Sequence, residues 1–207
     1  AGLDGVRADV TTPAGAFRLN APLLGLGNLA NILAAIAVAL TLDVPLPAIE
    51  ARLSDLRPAY HRGELLRLPG GITLIDDSYN ANPDSVHAAI DVLAALPGPR
   101  WLVQGDMGEV GNQGPALHAE AGAYAKARGI EHLWAVGAAS VAAAKEHGAA
   151  RHFESTAALV AADPGMMLRA TADAGAQVRR ALASIDRDAV SRIAADGRPR
   201  SVVVVGM

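Results

Sequence analysis

The chain has 207 residues, 51% of them hydrophobic and 19% charged, with a formal net charge of −3. That length allows one or two domains, and that composition supplies a core and excludes a disordered chain. No segment clusters Lys and Arg with interleaved aromatics, which argues against nucleic acid, and the lack of cysteine removes disulfides, thiolate nucleophiles and Cys-held zinc.

Residues 1–20 read as short strands, with turns at Asp4-Gly5 and at Thr12-Pro13-Ala14-Gly15 and with Phe17 and Leu19 alternating afterwards. The amino terminus has no basic segment of a signal peptide. Its first residue is Ala, so a fragment or processed product is expected. A helix is predicted to open at Asn28, capped by that side chain, with Leu29, Ile32, Leu33, Ile36, Ala37 and Leu40 at helical spacing. Its apolar run, Leu29 to Leu42, is shorter than the roughly 20 residues of a membrane span. A buried helix is expected instead, with no membrane insertion.

Asp43-Val44-Pro45 ends that helix, and a second follows with Leu46, Ile49, Leu53 and Leu56 on one face. The stretch from Arg57 to Gly63 reads as a loop. The domain boundary is placed there: short strands and two helices over 1–60, and one α/β domain over 61–207.

Beyond the boundary strands and helices alternate. Strands are predicted at 72–75, 101–103, 133–136, near 152–153 and at 202–205, the last apolar throughout and suited to burial on both faces. Helices are predicted from Pro83, from about Pro115 to Arg128, from Ala138 to Glu146, from about Thr156, and over 176–194. Asn82 caps the first of these, with Pro83 at its first position and an apolar stripe of Val86, Ala89, Ile90, Leu93 and Leu96. Such alternation implies a doubly wound, mostly parallel, Rossmann-like sheet, which binds ligands outside the carboxyl ends of its strands.

The run Asp76-Asp77-Ser78-Tyr79-Asn80-Ala81-Asn82-Pro83-Asp84-Ser85 lies at such a place, between a strand's end and a helix start. Free N–H groups at a helix start suit phosphate or carboxylate. The plain alternative is a capped turn, since Asp, Ser and Asn are common there for local reasons.

The string resembles the signature of the Mur ligases, in the branch that adds D-alanyl-D-alanine. Three further segments fit in the same order. Gly27-Asn28-Leu29-Ala30-Asn31 resembles the family's His-Asn-x-x-Asn helix. Arg62 lies where the family has Gly-Arg. Gly105-Asp106-Met107-Gly108-Glu109-Val110-Gly111, followed by His118, resembles its Gly-Asp-Met-x-Glu-Leu-Gly loop and later His. The likeness covers about residues 1–160.

The resemblance implies an ATP- and Mg²⁺-dependent cytoplasmic enzyme of peptidoglycan synthesis. It phosphorylates a carboxylate, and an amine then attacks the acyl phosphate to form an amide. The carboxylate belongs to a UDP-N-acetylmuramoyl tripeptide and the amine to D-alanyl-D-alanine. By the same resemblance Asn28 meets the adenine, Arg62 the phosphates and Asp77 the ribose and domain hinge. Tyr79, Asn80, Asn82 and Ser85, with Asp106, Glu109 and His118, belong to the substrate interface. A monomer is expected.

Departures matter as well. Gly27 replaces the family His, and His61 replaces the Gly before Arg62. The family's phosphate loop, carbamylated Lys and acidic Mg²⁺ ligands are absent from this chain, so no catalytic residue and no metal ligand is assigned within it. The chain alone is expected not to catalyse ligation. Val205-Gly206-Met207 stands where the family has Lys-Gly-Ser.

Two rival readings remain. Gly25-Leu26-Gly27-Asn28-Leu29-Ala30 matches the dinucleotide fingerprint of an oxidoreductase, though a lone match is weak and no second strand precedes Asp43. A non-catalytic nucleotide-binding or scaffold module is the other. The six histidines show no zinc-helix spacing.

Overall fold

The computed structural model describes residues 3–68, 71–162 and 201–205. The chain opens with an antiparallel hairpin, β1 (Val6–Thr12) and β2 (Gly15–Ala21), turned at the Thr12–Gly15 tetrapeptide. Helices α1 (Gly25–Thr41) and α2 (Leu46–Leu53) follow. Val6, Val10, Leu19, Ala21, Ile32, Ile36 and Leu53 form a core of their own.

Two expectations about α1 need correction. It begins at Gly25 after Leu24, not at Asn28. The Asn28 side chain lies inside the first turn, where Nδ2 donates to the Leu24 carbonyl at 2.8 Å. Nor is the helix buried: it buries only Ile32 and Ile36 and leaves Leu26 and Val38 more than half exposed, as is Leu42 just past its end. The hairpin, α2 and the helix at 83–94 each cover only part of this largely apolar helix.

The rest builds one six-stranded sheet in the order β3-β4-β8-β5-β6-β7. Its strands are β3 (Glu64–Leu68), β4 (Ile72–Asp77), β5 (Arg100–Gln104), β6 (His132–Val136), β7 (Ala150–Phe153) and β8 (Ser201–Val205). All pairings are parallel except β3 with β4. The pattern reading passes over β3, a five-residue edge strand too short to show its period. The expected mostly parallel α/β sheet is otherwise as found.

Helices α3 (Pro83–Ala94), α4 (Gly114–Ala127) and α5 (Val141–His147) cover one face over Ile75, Leu102, Leu133 and Val203. Helix α6 (Thr156–Ala161) covers the other, where Leu159 meets Trp134, Phe153 and Val204. The helix read over 176–194 and the tail Gly206-Met207 lie outside the described residues. Among the described residues no helix is long and apolar enough to cross a membrane.

Candidate functional site

Strand β4 extends through Asp76 and Asp77 rather than stopping before them. Alternating residues of a strand face opposite ways, so the two adjacent carboxylates serve different surroundings. Asp76, 2% exposed, turns away from α3. Its Oδ1 accepts from Ser78 N–H at 3.1 Å and Ser78 Oγ at 2.6 Å, and its Oδ2 lies 2.6 Å from His61 Nδ1. Asp77 faces the α3 side. Burial pushes its pKa up, a bond from the Gly63 backbone N–H pulls it back, the Asp76 charge raises it and Arg62 lowers it.

Asp77 shares a cleft of about 230 Å³ with Asn28, Asn31, Arg62 and Ser85, floored by Ile75, Ala89 and Val203. The cleft lies between the first turn of α1, the 57–63 loop and the start of α3. Arg62 is exposed, its guanidinium carbon 3.9 Å from the centre of the Tyr79 ring. Among the described residues Arg62 forms no ion pair within 4.0 Å, so its N–H fork is open to an anion. Gly27 lines the same cleft, and a Cβ built there would meet no atom within 4 Å.

The loop that carries Arg62 is held from both sides. Arg62 N–H donates to the Ala59 carbonyl at 3.0 Å, and Tyr79 N–H donates to the His61 carbonyl at 3.1 Å. His61 has φ +55°, the left-handed region where a side chain costs on the order of 1 kcal/mol. The Gly-Arg of the resembled motif suits that conformation; here the His61–Asp76 bond helps to hold it.

Asn80, Asn82 and Ser85 are mainly occupied locally. Asn80 Oδ1 accepts from Ala81 N–H, and Asn82 and Ser85 form a reciprocal capping box on α3. Of these, only Ser85 lines the cleft.

The Gly105–Gly111 loop lies elsewhere, and neither Asp106, Glu109 nor His118 lines the cleft. Asp106 ties down the β6–α5 turn, accepting from Ala139 N–H, Ser140 N–H and Ser140 Oγ. Burial raises its pKa, but these bonds outweigh burial and hold it below the usual carboxylate range. His118 is fully buried: its Nε2 accepts from Met107 N–H, and its Nδ1 faces the Gly114 carbonyl at 2.7 Å. Glu109 is exposed with φ +59°. The Gly25–Ala30 fingerprint falls within the first turns of α1, with no parallel βαβ unit around it among the described residues.

Sequence reasoning took Asp76 and Asp77 as one pair and missed the His61 side chain and the Gly63 N–H as their separate partners. The signal for His61 was the His in place of Gly.

The geometry defines an open α/β domain with a polar, partly cationic cleft at the carboxyl end of its first parallel strand. The chain belongs to the Mur ligase family: residues 61–206 match the Mur ligase, glutamate ligase domain. Over 156 residues it is 40% identical to the UDP-N-acetylmuramoyl-tripeptide--D-alanyl-D-alanine ligase of Escherichia coli (strain K12), across 75% of this chain and 34% of that protein. Its fold matches MurF from Acinetobacter baumannii with a TM-score of 0.77 at 26% identity, covering 99% of this chain and 40% of that one. MurF from Thermotoga maritima, solved in complex with ADP, shares the fold at a TM-score of 0.70 and 18% identity, covering 98% and 40%. The chain spans about a third of the length of the curated relatives it matches.

Proposed function

We propose that this chain is the carboxyl-terminal part of an ATP-dependent ligase that adds D-alanyl-D-alanine to a UDP-N-acetylmuramoyl tripeptide in the cytoplasm. Its domains divide near residue 60, and the cleft between α1, the 57–63 loop and α3 takes the nucleotide. The observation that carries the reading is the meeting of Asn28, Arg62 and Asp77 in one cleft, although they are far apart in sequence.

The residues present fit a nucleoside phosphate. Arg62 offers a planar, permanently charged donor fork with no carboxylate on it among the described residues. The Asp77 carboxylate accepts hydrogen bonds and suits sugar hydroxyls. Asn28 Nδ2 is engaged with Leu24, which leaves Oδ1 to accept from a base amine. Ile75, Ala89 and Val203 provide an apolar floor. ATP, with Mg²⁺ held by groups outside this chain, supplies the phosphoryl group that activates the carboxylate. The residues of this chain bind and orient; oxyanion neutralisation falls to Arg62. Tyr79, Asn80, Asn82, Asp106, Glu109 and His118 shape the surroundings in which the second substrate meets the nucleotide.

Titrating the chain with ADP and following backbone amide shifts by NMR tests this reading even for weak binding. Shifts are expected at Asn28, Gly63 and Asp77, and Arg62→Ala is expected to weaken them about 10-fold or more, as for a lost hydrogen bond to a charged group. Absence of shifts at these residues, or shifts indifferent to Arg62→Ala, would overturn the proposal.

A further inference from the structure

On the opposite face of β4 from the cleft, three ligating side chains converge. Nδ1 of His61 lies 2.6 Å from Oδ2 of Asp76. Glu64 stands directly opposite Asp76 in the antiparallel register of β3 and β4. One donor atom from each of the three lies within 4.8 Å of the other two. His61 and Asp76 are buried, and Glu64 is half-buried.

Carboxylates facing each other across a ladder repel, and partial burial strengthens that repulsion. Among the described residues neither carboxylate has a Lys or Arg partner within 4.0 Å. The group that faces Asp76 is the His61 imidazole, with Nδ1 toward Oδ2. His61 also sits at φ +55°, an unfavourable conformation of the kind found at ligand clamps. The outer layer is in place too: Ser78 N–H and Oγ hold Asp76 Oδ1, which aims Oδ2 at His61. Ligating carboxylates are oriented by such second partners.

We propose that His61, Glu64 and Asp76 form a binding site for a first-row transition-metal dication, with Zn²⁺ preferred. One imidazole nitrogen with two carboxylate oxygens is a zinc donor set, and water completes the tetrahedron. Mg²⁺ prefers oxygen ligands and keeps its waters. Zinc bonds of roughly 2.0–2.2 Å in a tetrahedron set ligand atoms about 3.3–3.6 Å apart. The ion therefore enters by opening the Nδ1–Oδ2 hydrogen bond and drawing Glu64 inward. The imidazole binds through a deprotonated Nδ1 and carries its proton on Nε2, so an imidazolium releases one proton as the metal enters. The ion would tie the 57–63 loop to the sheet and stiffen the backbone that presents Arg62.

Calorimetric titration of the untagged chain with Zn²⁺, paired with thermal melting, is the test. One ion per chain and a raised melting temperature are expected, with no comparable effect of millimolar Mg²⁺. His61→Gly removes the nitrogen ligand and should weaken zinc binding at least as much as the roughly 10–100-fold that loss of an outer partner costs, and should keep the fold, since glycine accepts this φ. Glu64→Gln should weaken binding and leave His61 in place. Lack of stoichiometric zinc binding, or binding undiminished in His61→Gly, would overturn the site and leave a buried His–Asp pair only.

Discussion

Asp76 and Asp77 are neighbours of the same residue type, yet the pleat of one strand gives them opposite tasks. Asp76 is fully engaged by Ser78 and His61. Asp77 keeps a carboxylate toward the cleft, where burial raises its pKa. An acid whose folded pKa lies above its unfolded value holds its proton more tightly when folded. Its contribution to stability is therefore full below the unfolded carboxyl value of about 4 and is lost as pH rises through the folded value. Asp77→Asn should accordingly stabilise the chain at pH 7, with the gain shrinking toward pH 4. Urea denaturation at the two pH values checks this; destabilisation at pH 7 would show that the bond from Gly63 outweighs burial. A cleft that keeps a destabilising charge fits a group retained for ligand rather than for folding. None of this was legible as sequence, where the two carboxylates read as one pair.

Opposing effects can be weighed at the level of packed elements in α4 and α5. Gly122 lies within α4, and a helix-interior Gly is usually about 1 kcal/mol worse than Ala. Propensity alone would make Gly122→Ala stabilising. A Cβ at Gly122 would, however, run into the backbone carbonyl of Ala143 in α5. Overpacking against rigid backbone costs about 1–3 kcal/mol, so packing should win and the variant should be less stable. An unchanged or higher denaturation midpoint would mean that α4 and α5 slide apart freely.

Elements with strong local signals were legible: Asn82 and Pro83 mark the start of α3, and its apolar stripe is buried as its spacing implies. Elements that depend on partners were not. Strand β3 is defined by its pairing with β4, and the start of α1 at Gly25 has no side-chain cap to announce it. The same limit applies to the candidate site. The strand-to-helix turn could be read from composition, but the approach of Asn28 and Arg62 to Asp77 is a product of the fold. Asp106 and His118 carry bonds that composition does not announce, Asp106 to the β6–α5 turn and His118 to Met107 N–H.

The molecule as a whole turns on its last strand. The chain passes from β4 through α3 to β5 and leaves a gap between them, which β8 fills from the far end of the sequence. Strand β8 pairs in parallel with both neighbours, and all five of its residues are buried. Val202 and Val204 enter the core on one face, Val203 and Val205 the core on the other. Fully burying a valine is worth about 1.5–3 kcal/mol, so four of them weigh heavily against a typical domain stability of about 5–15 kcal/mol. Until β8 docks, β4 and β5 are unpaired edges, and the α3 side of the sheet lacks Val203, part of the cleft floor. Val204→Asp places a charge with no partner on the face opposite the cleft, among Leu74, Val103 and Leu159. That variant should lose the cooperative thermal transition followed by circular dichroism, and should lose the ADP-dependent amide shifts with it, although no nucleotide-facing residue has changed. If it melted near the parent temperature, the central place of β8 would be wrong. Loss of both signals together would show that the cleft depends on β8, 124–128 residues beyond Asp77 in the chain.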